Sequence, residues 1–408
     1  MRTPSLLTGV AYAALASILS LSAQAEEEKS IELPEIVVEG RVENPLSGLA
    51  SPSFVPGTLT VPGVGEAQEA LSRMPGAVTL VPAEDYEDTY AHNFEDVMDF
   101  TPGVYARKRF GAEVRLSVRG SGLSRSFHMR GLEILQDGVP YNLADGAADF
   151  QEVDPLIAQH IEVYKGGNGL RFGSVTLGGA INFVTPTGYT AEAENLVRIE
   201  GGSYGTARLH SQTARVYGDT DIFAAMTGNY VEGFREQEQE QSFRFSGNIG
   251  HRFNEHAETR FYVISNTVDQ ELPGTLTLAQ AENNPEMANP GNVALDQQRN
   301  VRSIRVANKT ALDLGDGALL EFGGYAGYKR LYHPIFRVLD YRGPLAGLFT
   351  RYTSEGTLGG HRNILTLGGD FSWSEVDAKQ YANVSGSRGA LAASGTQTAT
   401  NLKLYAEN

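Results

Sequence analysis

The chain has no cysteine among its 408 residues. A disulfide framework and a thiolate metal site are both excluded on that ground. Beyond the first 25 residues no segment approaches eighteen consecutive apolar residues, so no further membrane-spanning helix is expected. Positive charge is scarce: 33 Lys and Arg stand against 49 Asp and Glu, a net charge of −16. That balance argues against a general nucleic-acid binder. Catalytic signatures are missing as well. The GSG run at Gly120–Gly122 is not a nucleophile elbow. The glycines from Gly166 to Gly179 lack the spacing and the strand–helix context of a phosphate loop. No paired carboxylates or triad stand out, and no enzyme is expected.

What is present begins with a targeting segment. Arg2 supplies a thin positive region, Leu6 to Leu21 is apolar and small, and Ala23-Gln24-Ala25 reads as a cleavage site. Residues 1–25 are therefore read as a secretory signal peptide. An exported chain with no spanning helix is either soluble or a membrane β-barrel, the only other way across a bilayer. Glycine at 46, with 18 Tyr and 18 Phe, favours a strand-rich chain with many turns.

Shortly after the cleavage site comes SIELPEIVVEG, Ser30 to Gly40. Its Ile31, Leu33, Ile36, Val37 and Val38 suit a strand, with Glu32 and Glu35 between them. Pro34 lacks a ladder donor and bars it from the middle of a sheet. Residues 41–65, with Pro45, Pro52, Pro56 and Pro62, read as a slack, non-helical tether. An exposed strand on a tether is a docking edge that a partner can add to its own sheet.

Two grammars follow. Residues 66–188 are mixed α+β: a helix from Asn93, capped by Asn93 with Asp96 three residues on, then short strands at 114–120, 132–141, 160–166 and 178–185. From about residue 190, some ten long alternating segments follow, of the length a tilted membrane strand needs. Their connections alternate. Short ones fall at 203–205, 217–221, 253–257, 314–318 and 355–362; long ones at 233–241, 269–300, 330–344 and 377–400. Short turns on one rim and long loops on the other point to an outer-membrane barrel. Ten strands enclose too little room for a separate domain, and plugged barrels need about twenty-two. The chain ends at LYAEN inside such a segment, so it is expected to be the N-terminal part of a longer protein.

The chain resembles the TonB-dependent outer-membrane receptors. The resemblance rests on the strand at 31–38 after the signal peptide, VRLSVRGSGLSRSFHMRG (114–131) with its paired Arg-Gly steps, and the turn Asp137-Gly138-Val139-Pro140. It rests also on HIEVYKGGNGLRFGSVTLGGAINFVT (160–185) and on the barrel grammar. RSFHMRG, LADGAADFQEVDP (143–155) and ELPGTLTLAQ (271–280) look most like the ferric-citrate (FecA-type) branch. That branch often carries a signalling domain before its TonB box. Here the box follows the signal peptide almost at once, so self-signalling is not expected and citrate is only loosely implied.

The resemblance implies an α+β plug inside a transmembrane antiparallel β-barrel, with 22 strands in the full protein. The division would be 1–25 signal peptide, 26–65 TonB-box segment and linker, 66–188 plug, and 189–408 first part of the barrel. It implies an active transporter of a ferric siderophore, acting as a monomer, with TonB as energising partner and no cofactor of its own. Another metallophore, haem or cobalamin is an alternative ligand, and a passive channel the alternative of another class. Ile31–Val38 would be the TonB box. Arg119, Arg130 and Glu162 would lock the plug to acidic barrel residues. Basic residues at the extracellular mouth would hold an anionic chelate, because Arg forks suit carboxylates. The candidates are Arg107, Lys108, Arg109, Arg125 and His128 on the plug apices, and Arg330, Tyr332, His333 and Arg337, with Arg342, on a long loop.

Overall fold

The computed structural model describes residues 57–74, 76–121, 131–172, 176 and 178–408. The signal peptide, the docking strand 31–38, and Arg125, His128 and Arg130 lie outside the described residues.

The plug runs from helix α1 (Val64–Ser72) through strand β1 (Val78–Pro82) to helix α2 (Phe94–Met98). The Asn93 side chain accepts from the Glu95 amide at 2.7 Å, and the Asp96 side chain accepts from the Asn93 amide at 3.0 Å. This reciprocal cap fixes where the helix starts. Hairpin strands β2 (Val104–Phe110) and β3 (Glu113–Val118) follow, then β4 (Leu132–Gln136), β5 (Val139–Pro140), β6 (His160–Lys165) and β7 (Gly179–Val184). Five of these form a sheet in the order β1-β6-β7-β4-β5, antiparallel except where β4 meets β7. Phe94, Met98, Ile134, Ile161, Val163, Ile181 and Phe183 close its core. Gly179 has φ +142°, and a Cβ there would run into the Tyr164 carbonyl of the neighbouring strand.

Ten strands form the second sheet in simple sequence order, the fold of a barrel wall. They are β8 (Asn195–Gly202), β9 (Thr206–Tyr217), β10 (Thr220–Val231), β11 (Glu240–Asn254), β12 (Ala257–Gln270), β13 (Asn300–Gly315), β14 (Ala318–Pro334), β15 (Arg337–Leu358), β16 (His361–Val384) and β17 (Ser387–Glu407). Burial alternates most clearly along β10 to β13, whereas β17 has no buried residue. On β13, Val301, Ser303, Arg305 and Ala307 are buried against the plug, whereas Ile304 and Val306 are exposed on the outer face. One rim carries only two-residue turns, at 218–219, 255–256, 316–317 and 359–360. The other carries the 232–239 loop and the 271–299 connection, which holds helices α3 (Leu278–Asn283) and α4 (Pro290–Ala294).

Three expectations are corrected. Residues 330–344 and 377–400 are not long loops: β14 to β17 continue through them, leaving tight turns at 335–336 and 385–386. Pro334 and Pro344 suggested breaks, yet Pro334 ends its strand and the pairing of β15 with β16 resumes unshifted beyond Pro344. The plug apex that carries Arg107, Lys108 and Arg109 is mostly strand β2, with only Gly111 and Ala112 in its turn. The end of the tether is not slack either, because Thr60 and Val61 are buried.

Gly179→Ala should destabilise the plug by about 1–3 kcal/mol, the order of cost for a strained backbone, before the clash is counted. Limited proteolysis of the assembled protein checks this. A plug as resistant as wild type would show that the position tolerates a side chain.

Candidate functional site

Plug and barrel meet through buried charge. The acidic stretch after β5 folds into a 3-10 turn, Phe150–Glu152, against the barrel wall. Glu152 Oε1 accepts from Ser303 Oγ at 2.6 Å and from Arg305 Nη1 at 2.8 Å, and Lys329 pairs with Oε2. Asp149 Oδ1 accepts from Arg299 Nε at 3.0 Å, and Asp149 Oδ2 lies 2.8 Å from Lys329 Nζ. Arg305 Nη2 also donates to the Tyr141 carbonyl at 2.9 Å. Burial pushes both carboxyls up. Arg299 and Lys329 outweigh it for Asp149, and Arg305 and Lys329 outweigh it for Glu152, so both lie below the usual carboxylate range.

A second cluster sits by the short turns. Arg260 is fully buried and uses all five of its N–H donors: on Thr60 Oγ1, both Asp221 oxygens, Asn248 Oδ1 and Glu258 Oε1. Thr60 Oγ1 donates to Glu258 at 2.5 Å, and the Leu59 amide donates to its other oxygen at 3.0 Å. Asn248 in turn donates to the Pro186 carbonyl at 2.9 Å. The segment entering the plug and the segment leaving it are thus pinned to one set of inward side chains.

Glu133 on β4 faces Lys403 Nζ at 3.7 Å. Burial pushes its carboxyl up to about 7, more than Lys403 brings it down, and Asp370 adds to the rise.

The expected lock has the opposite polarity. Glu162 is held inside the plug, by Tyr164 OH at 3.0 Å, Asn182 Nδ2 at 2.9 Å and His160 Nε2 at 3.6 Å. Arg119 is exposed beside Gly166, and among the described residues no barrel carboxylate pairs with it. Instead, at Asp149 and Glu152 the plug supplies acids and the barrel bases, while the one plug arginine among the described residues that pairs with a barrel acid is Arg171, 2.6 Å from Glu407. The signal was present in LADGAADFQEVDP and in the inward parity of Arg305 and Lys329. It becomes readable only once the inner face is known.

The expected ligand residues divide. Arg107 and Lys108 are exposed on β2 and Arg109 is partly so. Arg107 pairs with Glu95 at 3.0 Å and Asp99 at 2.7 Å, and Arg109 pairs with Glu113 at 2.6 Å. The turn of this hairpin reaches the long-loop rim, where Ala112 N donates to Glu240 at 3.0 Å and Gln270 Nε2 donates to the Phe110 carbonyl at 2.5 Å. His333 shares the inward parity of Lys329 and bonds through Nδ1 to the Gln298 carbonyl at 2.5 Å. Arg337 donates to Gln380 at 3.1 Å. Arg330 and Tyr332 take the other parity, that of the exposed Tyr328, and point away from the mouth. The sequence placed them in a loop, where no parity applies; in a strand it does.

Residues 70–180 match the model of the TonB-dependent receptor plug domain. Over these residues the chain carries the plug of a TonB-dependent receptor. It is 25% identical over 179 residues to the vitamin B12 transporter BtuB of Vibrio vulnificus (strain CMCP6), covering 44% of this chain and 29% of that protein. Its fold is similar to that of the ferric citrate transporter FecA in the unliganded form, with TM-score 0.68, 14% identity, and 85% of this chain over 56% of that one. It is likewise similar to the ferripyoverdine receptor of the outer membrane of Pseudomonas aeruginosa, with TM-score 0.61, 16% identity, and 81% of this chain over 48% of that one. The chain thus spans about half the length of these solved relatives.

Breaking a buried pair strands its partner, at about 3–5 kcal/mol. Glu152→Gln should therefore lower denaturant resistance of plug docking by roughly that much, with non-additive effects in a Glu152/Arg305 double-mutant cycle. Additive effects would mean the pair carries no coupling. Glu133 behaves oppositely with pH. Its folded value lies above its ordinary one, so docking weakens as pH rises from about 4.5 toward about 7. Thermal midpoints of Glu133→Gln should lose that slope, and an unchanged slope would exclude Glu133 as its source.

Proposed function

We propose that the protein is an outer-membrane active transporter. It binds a metal chelate on the long-loop side and admits it to the periplasm on energy delivered by TonB. The observation that carries this is a separate plug gripped inside a barrel wall by a buried charge network, a device that a passive pore does not need. The segment Ile31–Val38 is proposed as the strand that TonB adds to its own sheet. The named relatives transport or bind a corrinoid and iron chelates, so the ligand class is a siderophore- or vitamin B12-like complex.

Within that class we favour a ferric siderophore of the anionic, citrate-like kind. Arg107, Lys108 and Arg109 share one hairpin at the long-loop rim, and the carboxylates now paired with Arg107 and Arg109 are groups that a polycarboxylate chelate would replace. Arg125 and His128 are proposed to join them. The exposed Arg107 pairs contribute about 1 kcal/mol or less, so exchange there is easy.

Uptake of radiolabelled ferric citrate, a ferric catecholate and cobalamin by cells expressing the complete gene product tests both levels. Uptake of one chelate should require TonB and residues 31–38, and Arg107→Ala/Arg109→Ala should weaken ferric citrate binding about tenfold. Uptake indifferent to TonB would remove the active-transport reading. TonB-dependent uptake of cobalamin alone would keep it and replace the ligand.

A further inference from the structure

Three inward rows of the barrel wall share one pattern. Tyr325 on β14 stands directly opposite Gly347 on β15, Phe349 on β15 opposite Gly323 on β14, and Tyr405 on β17 opposite Gly368 on β16. A Cβ on any of these glycines would run into the facing ring. Each ring therefore lies along the wall instead of standing into the interior. Covering bare glycine backbone with a ring is by itself a structural device. Two of these rings, Phe349 and Tyr405, also bound a cavity of about 430 Å³ between the wall and the plug.

The cavity carries charge that the protein does not neutralise. Lys309 on β13 lines it and, among the described residues, has neither a hydrogen bond nor an ion pair. Glu321 and Asp137 are the carboxylates whose charge it feels, and both are engaged elsewhere. Glu321 accepts from Arg351 at 2.8 Å, and Asp137 accepts from the Thr185 amide at 2.8 Å and the Thr185 hydroxyl at 2.9 Å. Arg171, on the plug side, gives one nitrogen to Glu407 at 2.6 Å, while its Nε has no partner among the described residues. Asp370 Oδ2 likewise lacks a donor there. Charged groups kept from bulk water without partners are costly. Flattened rings do not call for them, and a ligand does.

Register relates these groups. Lys309, Gly323, Phe349 and Asp370 stand directly opposite one another on four successive strands. At about 4.8 Å per strand, Lys309 and Asp370 are roughly 14 Å apart at Cα, with the Phe349 ring between them. Side chains reaching in from both ends fit a compact molecule that turns carboxylates toward Lys309 and a hydroxyl toward Asp370. The volume falls within the ~300–1,000 Å³ of small-molecule sites.

The cavity lies on the short-turn side. Glu321 on its wall is three residues from Ala318, where β14 begins. Thr58–Pro62 of the tether and Ala67, Ala70 and Leu71 of α1 also bound it. It is thus separate from the hairpin of Arg107 and Arg109 at the long-loop rim, and its boundary includes Thr60, which the wall holds through Glu258 and Arg260.

We propose that this cavity is a second ligand site, which takes an anionic hydroxycarboxylate chelate on its way past the plug. Lys309 receives the carboxylate, Asp370 the hydroxyl, and the flattened rings the apolar edges. The site rests on the transport reading above, and residues 58–62 keep it shut until they are withdrawn.

The test uses the complete receptor. Equilibrium binding of ferric citrate in detergent reads the mouth, and the maximal rate of TonB-driven uptake of radiolabelled ferric citrate by cells reads the passage. Lys309→Met should leave the dissociation constant within twofold of wild type and lower the maximal rate about fivefold. Lys309→Arg should keep at least half of the wild-type rate. Ala70→Leu fills the cavity from the plug without touching the wall, and should slow uptake as Lys309→Met does; it decides the matter should that variant fail to insert. Wild-type rates in whichever of the two inserts would overturn the site and leave the transport reading standing. Mouth binding lost together with the rate in Lys309→Met would assign Lys309 to plug docking and also overturn the site. Wild type that carries no ferric citrate with TonB would count against the reading of the ligand, and the site would fall with it.

Discussion

Side chains alternate between the two faces of a strand, so each residue of a barrel wall has one environment open to it. On β13 this separates Arg305, which meets Glu152 of the plug, from Ile304 and Val306, which are exposed on the outer face. The same rule carries Lys329 to the plug and its neighbour Arg330 to the outer surface. Plug docking and the apolar outer face both follow from that period. A register slip of one residue on β14 would turn its inward set, Lys329 and Leu331 among them, to the outer face.

Buried ions are costly, and a barrel of this kind gains little stability from them compared with apolar packing. What they supply is position. Asp149 and Glu152 can be stable as carboxylates only where Arg299, Arg305 and Lys329 converge, which admits one placement of the 141–155 segment. Arg260 does the same at the other end, because its five donors are satisfied only with Thr60, Asp221, Asn248 and Glu258 together. The plug core of Phe94, Ile134 and Ile181 is generic in comparison, since apolar contacts are non-directional.

Local chemistry was readable in advance. The cap at Asn93 and Asp96, the turn at Asp137–Pro140 and the alternation of the ten long strands each depend on residues close in sequence, and each is realised. The buried clusters were not readable, because their partners lie 150 to 200 residues apart, as in Glu152–Arg305 and Thr60–Arg260. Arg119 and Glu162 attracted attention as charges in a plug, yet Glu162 finds its partners two and twenty residues away on its own sheet. Arg330 and Tyr332 show the other failure. Basic and aromatic residues near prolines look like a loop, and the pairing that makes them strand comes from β13 and β15, not from themselves.

The two clusters differ in what their release would leave behind. A pull from the N-terminal side reaches Leu59 and Thr60 first. They hold the barrel by one amide and one hydroxyl, to Glu258 and Arg260. When they leave, Arg260 keeps Asp221, Asn248 and Glu258, so no barrel charge is orphaned. The cost is that of a few hydrogen bonds, about 1 kcal/mol each. Withdrawing Asp149 and Glu152 would instead strand Arg299, Arg305 and Lys329 away from water, at several kcal/mol per ion. On the proposed function, force from TonB therefore peels the segment around Thr60 well before it extracts the acidic turn. The plug then has a cheap first step on the periplasmic side while its long-loop side is still held in register.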